Sequence, residues 1–291
     1  MSFSGVATNR TSIDLPVEVS SEIIQKVQES SAVMQLARKI DLPGRGAAIN
    51  VITSDPEASW VGETDKKPVS NPGLETKIMR AYKLAVIVPF SDEFRRDVSG
   101  LYNALIQRLP GALSSKFDAT VFGNVAKPGD DFDSFANATA QSLNLDVYAG
   151  LVAADTDIAT HGGILNGFVI SPQGKGILLG ATDTTKRPLF INNVSEGAVP
   201  MILGAKTVQS KAAYKNANPA IVGFAGDWTQ AMYGTVEGVK IDFSKEATLT
   251  YNDSTINLFE QNMFAVRAEI EVGFRADVSV FNKLTSSSAS M

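Results

Sequence analysis

The chain's only histidine, His161, stands one helical turn after Asp157, with Asp155 just before it. Imidazole and carboxylate donors at that spacing are the ligand types of a zinc or other divalent-metal site. A metal-dependent enzyme built on Asp157 and His161 is therefore one functional class to weigh. Against it, no further ligand stands at metal-site spacing, and a histidine at a helix C-terminus suits the helix dipole without any metal. Asp130-Asp131-Phe132-Asp133 has the acidity of a calcium loop but lacks that motif's glycine and terminal glutamate at their offsets, so it reads as a plain surface loop. Gly44-Arg45-Gly46 and Gly174-Lys175-Gly176 have neither the dinucleotide fingerprint nor a Gly-Lys-Ser/Thr ending, and read as turns. No Gly-x-Ser-x-Gly elbow occurs, and a histidine-based nucleophile would have to use His161 alone. The expectation is a protein with no catalytic residues, no metal and no cofactor.

The remaining chemistry is that of contact. Arg95, Arg96, Arg108 and Lys116 fall on the side of a long helical pattern opposite its apolar stripe. They could meet nucleic-acid phosphates or a neighbour's carboxylates, or form only the helix's solvated side. A formal net charge of -5 excludes an overall basic nucleic-acid binder and leaves room for such a local patch. With 44% hydrophobic and 20% charged residues, the 291-residue chain can bury one large or two modest cores. It has no cysteine, which excludes disulfide staples and thiolate metal sites. The first fifteen residues lack the basic-then-apolar layout of a signal peptide, and no apolar run approaches a membrane span. A product of the reducing cytosol, without a membrane partner, is expected.

The elements that position these residues begin with a helical pattern from Val19 to Ile40, interrupted at Ser30-Ser31 and ended by Pro43-Gly44. An arm follows. Ala47 to Thr53 and Ala58 to Val61 form its outgoing side, and Leu74 to Pro89, ending in Lys83-Leu84-Ala85-Val86-Ile87-Val88, its return. Between them Glu63 to Gly73 is charged and turn-prone, with Lys66 and Lys67 at the tip. Extended at about 3.3 Å per residue, Leu74 to Pro89 would span about 50 Å, far beyond a body whose radius of gyration is about 18 Å. A lone two-stranded hairpin is marginal in water, so the arm, with Trp60, is expected to find partners on another subunit. Ser91 then caps a helix with Asp92 and Glu93 in its first turn and a stripe of Phe94, Val98, Leu101, Leu105 and Leu109. Pro110 is expected to kink or split it before it resumes to Gly123. A second helix runs from Asn144 to a glycine stop at His161-Gly162-Gly163. Strands are expected at Gly167 to Ile170, Pro200 to Leu203, Ala220 to Gly223, Ala231 to Ile241 and Glu269 to Val280, with a short helix over Gly174 to Leu179, in a mixed body of helices and sheet.

The collinear order of these parts resembles the major capsid proteins of tailed double-stranded DNA bacteriophages, the HK97-like fold. The resemblance runs from about Leu15 to Leu284. It is carried by Leu15-Pro16-Val17-Glu18-Val19, Ser30-Ser31-Ala32-Val33 before Leu36-Ala37, Ala58-Ser59-Trp60-Val61-Gly62-Glu63, Lys83 to Glu93 with Asp97, Gly167 to Pro172, Ile202-Leu203-Gly204, Ala220 to Asp227, Asn262 to Ala268 and Val278 to Phe281. No single piece is diagnostic; their order is. The resemblance implies an α+β HK97-like fold with an N-terminal arm over residues 1–43, an extended hairpin loop over 44–90, a peripheral domain with a spine helix over 91–143, an axial domain over 144–238, and a return to the peripheral domain with a C-terminal tail over 239–291.

The implied function is structural. Hexamers and pentamers would self-assemble into an icosahedral shell around phage DNA, formed in the host cytoplasm and ending in the virion. Trp60, Glu63, Lys66 and Lys67 would make intersubunit contacts through the extended loop, and Arg95, Arg96, Arg108 and Lys116 an interior or intersubunit basic face. The implied partners are further copies of the chain, a portal protein and packaged double-stranded DNA held non-specifically, with a decoration protein optional. Only about forty residues precede the arm, too few for a fused scaffolding segment, so a separate scaffolding protein is expected. Some relatives cross-link an arm lysine to a neighbour's asparagine; beside Lys66 and Lys67 no acceptor or activating acid is identifiable. An encapsulin-type bacterial compartment shell, on the same fold, is the alternative.

Overall fold

Strand periodicity is clearest near the C-terminus, where Phe264, Val266, Ala268, Ile270, Val272, Phe274 and Ala276 are buried while Arg267, Glu269, Glu271 and Arg275 alternate with them on the other face. A repeat of two puts one face of a strand into a core and leaves the other for polar pairing. The structure, a computed structural model, describes residues 27, 30–44, 46–54, 58–61, 66–67, 69, 73–93, 99–183, 185–187, 189–190, 201–251 and 254–287.

In chain order the described elements are α1 (Ala32–Leu36), β1 (Arg38–Asp41), β2 (Ala47–Ser54), β3 (Gly73–Met79), β4 (Tyr82–Ser91), α2 (Ser99–Val121), β5 (Thr139–Ser142) and α3 (Val147–Thr160). After these come β6 (Gly167–Ile170), α4 (Pro172–Gly180), β7 (Met201–Ile202), β8 (Ala205–Gln209), β9 (Ala220–Gly226), β10 (Ala231–Thr235) and β11 (Lys240–Ser244). The last are β12 (Thr248–Tyr251), β13 (Ser254–Asn257), β14 (Met263–Ala276) and β15 (Phe281–Ser286).

Two sheets share one hydrophobic core. In the five-stranded sheet β14 pairs antiparallel with β4 along one side, while β10 and β11 divide the other, and β1 adds parallel to β10. The six-stranded sheet runs β5-β15-β9-β6-β8-β7, with β15 between the parallel β5 and the antiparallel β9. β2 and β3 pair only with each other among the described strands, as do β12 and β13, whose Ile256 joins Leu258 and Met263 in a small separate cluster.

The expected helices are present with two revisions. Among the described residues, Ser31 stands outside helix and caps α1 by accepting from the Met34 N–H. Beyond Leu36, however, Arg38–Asp41 is a strand, so Ile40 belongs to β1 rather than to a helix. Its parallel pairing with Met232–Thr235, a distant segment, overrides the local pattern. Residues 92–93 are helical and α2 runs unbroken through Pro110 to Val121. The helix is therefore not split: Pro110, Leu109, Leu113 and Phe117 are all buried, and that packing outweighs the loss of one N–H donor. α3 starts on Asp146, whose carboxylate accepts from the Tyr148 and Ala149 N–H groups, and stops at Gly162 in a left-handed conformation. Pairing to β14 divides the expected strand over Ala231 to Ile241 into β10 and β11.

Phe135, in the 3-10 turn before β5, connects the layers. Its fully buried ring stacks on Phe281 of β15 at 4.2 Å and meets Phe274 of β14 edge-on at 5.6 Å. It also lies 6.4 Å from Phe122, just past α2, which stacks on Phe224 of β9 at 4.8 Å. Trp228 meets both Phe135 and Phe281 edge-on and donates its indole N–H to the Gly167 carbonyl at 3.1 Å. Replacing Phe135 by Ala would remove contacts to both sheets at once, and is expected to cost about 3–5 kcal/mol. A urea unfolding midpoint close to that of the parent would contradict this role.

Candidate functional site

The arm is shorter than its sequence suggests. β2 and β3 form the hairpin, in register from Ala47↔Met79 to Ile52↔Leu74. The chain then leaves it: β4 pairs with β14 from Tyr82↔Val272 to Ser91↔Met263. Lys83 to Val88, read as part of the returning arm, therefore belong to the body sheet, because the long apolar face of β14 offers a partner that the hairpin does not. Ala58–Val61 is not a strand. β3 itself extends about 23 Å at ordinary strand rise.

The root of the arm sits in a socket. Met79, at the end of β3, is fully buried over Gly273 and Gly234, which face each other across β14 and β10. A Cβ on Gly273 would lie 2.5 Å from the Arg80 carbonyl oxygen, and one on Gly234 would lie 2.9 Å from Met79 Sδ. The glycines thus open a notch in the sheet through which the arm passes. Beside it Arg275, its side chain 12% exposed, donates from Nε and a terminal nitrogen to the Ile78 carbonyl at 2.8 and 2.7 Å. The same guanidinium pairs with Asp131 at 3.0 Å and Asp133 at 2.9 Å, and Arg80 pairs with Asp131 at 3.2 Å. One side chain therefore ties the last turn of the arm to the 128–133 loop and to β14. The acidic loop expected to be plain is the counter-charge of this junction.

The outer face of the five-stranded sheet continues in ionic rungs: Lys83 to Glu271 at 3.1 Å, and Arg267 to Asp242 at 2.5 Å and to Glu269 at 3.5 Å. The hydrogen bond to Glu271, and the charges of Glu271 and Glu269, raise the Lys83 ammonium above its ordinary pKa.

Of the residues singled out in the sequence, Trp60 is fully exposed, and Lys66 and Lys67 are exposed. Arg108 and Lys116 are exposed on α2. Glu63, Arg95 and Arg96 lie outside the described residues. His161 donates from Nδ1 to the Asp157 carbonyl oxygen at 2.8 Å, with the Asp157 carboxylate 3.9 Å away. Asp155 is exposed, and among the described residues no group of three or more His, Asp or Glu side chains could hold a metal ion. No described helix is long and apolar enough to cross a membrane. Met79, Gly234, Gly273 and Arg275 were not foreseen. The one signal was a glycine within the alternating strand pattern of β14, a mark of close backbone approach.

The model of the phage capsid family matches residues 13–279. The chain belongs to the phage capsid family. Among curated relatives, the probable major capsid protein gp17 of Mycobacterium phage L5 is 27% identical over 289 residues, covering 93% of this chain and 89% of the relative. The major capsid protein of Staphylococcus phage 80alpha is also 27% identical, covering 92% of this chain and 83% of its own. Among solved structures, a chain of Mycobacterium phage Adephagia superposes with a TM-score of 0.72 at 18% identity, over 90% of this chain and 91% of that one. A chain of Microbacterium phage Oxtober96 does so with 0.70 at 22% identity, over 97% and 96%. The mixed α+β fold of this family member is thus that of phage structures.

The socket carries a prediction. Arg275→Met should leave both sheets intact but strand the carboxylates of Asp131 and Asp133. The expected loss is about 1–3 kcal/mol in urea unfolding, with faster limited proteolysis in β2 and β3. Unchanged cleavage of the arm would show that Arg275 does not hold its root.

Proposed function

We propose that this chain is the major capsid protein of a tailed double-stranded DNA phage, assembling as hexamers and pentamers into an icosahedral shell. The observation that carries this reading is a body matched by the family along nearly its whole length, bearing a hairpin whose strands pair with no other described strand. A two-stranded sheet of that kind is marginal alone, and its exposed Trp60, Val61 and Val69 gain most by covering a neighbour. The family and its named relatives are structural capsid proteins, not enzymes. A related fold at a TM-score of 0.64 and 12% identity is the capsid of a GTA particle.

In this assignment residues 1–43 are the N-terminal arm, 44–90 the extended loop, 91–143 the peripheral domain with α2 as its spine helix, 144–238 the axial domain, and 239–291 the return. Sheet membership refines that partition. β10 lies in the five-stranded sheet beside β14, and β15 in the six-stranded sheet between β5 and β9, so the chain crosses between the two sheets more than once. Trp60, Glu63, Lys66 and Lys67 form the intersubunit contact of the loop. Arg95, Arg96, Arg108 and Lys116 present a basic face to the interior, to packaged DNA or to a neighbour. A scaffolding protein and a portal protein complete the shell during assembly in the host cytoplasm, and the mature protein resides in the virion. The compartment-shell alternative shares the fold but is not favoured by relatives named as phage capsid proteins.

Negative-stain microscopy of lysates expressing the protein should reveal closed shells; a monodisperse monomer under all conditions would overturn the reading. Trp60→Ala should leave the subunit soluble and weaken each arm contact by about 2 kcal/mol, the scale of a buried interfacial tryptophan. Parent and variant shells of equal resistance to heat and denaturant would exclude Trp60 as an intersubunit anchor.

A further inference from the structure

A tryptophan carries one of the largest apolar surfaces of any side chain, and leaving it in water forgoes the gain of burying it. Trp60 is fully exposed, so within one subunit it has no cover. Asp55, Glu57, Glu63 and Asp65 place four carboxylates within five residues of it, with no basic residue in that span. A surface that takes this segment must therefore supply an apolar recess with positive charge at its edge.

One recess of the body has both. Between β4, the C-terminal half of α2 and the 125–132 loop lies a cavity of about 160 Å³, lined by Tyr82, Leu84, Phe117, Phe132 and Val272. Phe132 meets Tyr82 and Phe117 edge-on, each at 6.2 Å, so the walls are themselves aromatic. An apolar cavity of about 150 Å³ accepts a benzene ring, so the space is of the size that takes one aromatic side chain. The charges about it are compensated with one exception. Lys83 pairs with Glu271 at 3.1 Å, Lys127 with Asp130 at 3.4 Å, and Asp131 with Arg80 at 3.2 Å and Arg275 at 3.0 Å. Lys116, on the α2 wall, is exposed and has no ion pair among the described residues.

We propose that the Trp60 segment of one copy seats in the β4–α2 pocket of a second copy, with the indole among Tyr82, Phe117 and Phe132 and the flanking carboxylates about Lys116. In the single chain Trp60 is fully exposed, so it does not fill its own subunit's pocket. That pocket lies beside the root of its own arm, where Arg80 pairs with Asp131. Trp60 instead follows the far end of β2, across from a β3 that extends about 23 Å. Segment and pocket are different surfaces, so each copy gives to one neighbour and receives from another. Such a head-to-tail contact closes into a ring when the rotation between copies permits. That the occupant is a copy of this chain rather than another protein rests on the capsid reading.

Because the chain has no cysteine, cross-linking between two single-thiol variants tests the contact. Full-length Ser59→Cys, altered beside the indole, and Thr120→Cys, altered on the pocket wall, are mixed and treated with a short bismaleimide, both as co-assembled particles and as concentrated subunits. For reference, Ser59→Cys is mixed with Thr160→Cys, altered at an exposed site at the end of α3. Seating raises the effective concentration of the two thiols into the millimolar range, so the Thr120→Cys mixture should give covalent heterodimers at least about tenfold faster than the reference. Adding Trp60→Ala to the Ser59→Cys chain should bring that rate down to the reference, and adding Lys116→Glu to the Thr120→Cys chain should lower it severalfold. Equal rates with Thr120→Cys and Thr160→Cys in both preparations, or a rate untouched by either added substitution, overturn the docking. Microscopy of the same preparations reads the capsid assignment separately. Shells without preferential linkage refute the docking alone, and linkage without shells refutes the shell and not the docking.

Discussion

Everything in this molecule hangs on one aromatic junction. Phe135 stands where both sheets and the end of α2 converge, in contact with Phe281, Phe274, Phe122 and Trp228. Aromatic rings in edge-on and offset contact contribute beyond the area they bury. A chain that crosses between sheets needs such a shared centre, because β15 and β14 are separated by only a short turn yet lie in different sheets. Asp277 caps that turn by accepting from the Ser279 N–H at 3.0 Å.

Apolar surface is distributed unevenly as a result. The body buries Phe, Val and Ile in a continuous core, while Trp60, Val61 and Val69 are left outside it on the arm. A monomer gains nothing from such exposure; an assembly does. What the body contributes to the arm is control of its root: the glycine notch seats Met79, and Arg275 fixes the Ile78 carbonyl against two carboxylates.

The N-terminal segment is fastened by different chemistry. At the arm root, charges of opposite sign compensate one another; at Asp118 a lone carboxyl is met only by neutral donors. The two joints are thus made by different chemistry.

Local signals in the sequence sufficed for elements whose causes are local. The Gly162 stop ends α3 and the apolar run Gly167 to Ile170 is a buried strand, whereas Gly174-Lys175-Gly176, read as a turn, lies inside α4. The alternating pattern and turn-rich tip made the arm legible, and the collinear order of motifs made the family legible. Elements created by distant pairing were not readable. β1 exists because Met232–Thr235 lies beside it, the polar β5 because β15 does, and β4 left the arm because β14 offered a longer partner. The same holds for the joints. Nothing near Arg275 in the chain announces Asp131 or the Ile78 carbonyl, and nothing near Asp118 announces Ser31 or Ser210, because burial and charge pairing are set by which segments the fold brings together. The sequence by itself determined the family and the presence of an arm, because both are written in the order and patterning of its segments. Tertiary structure alone decided where that arm begins and what holds it.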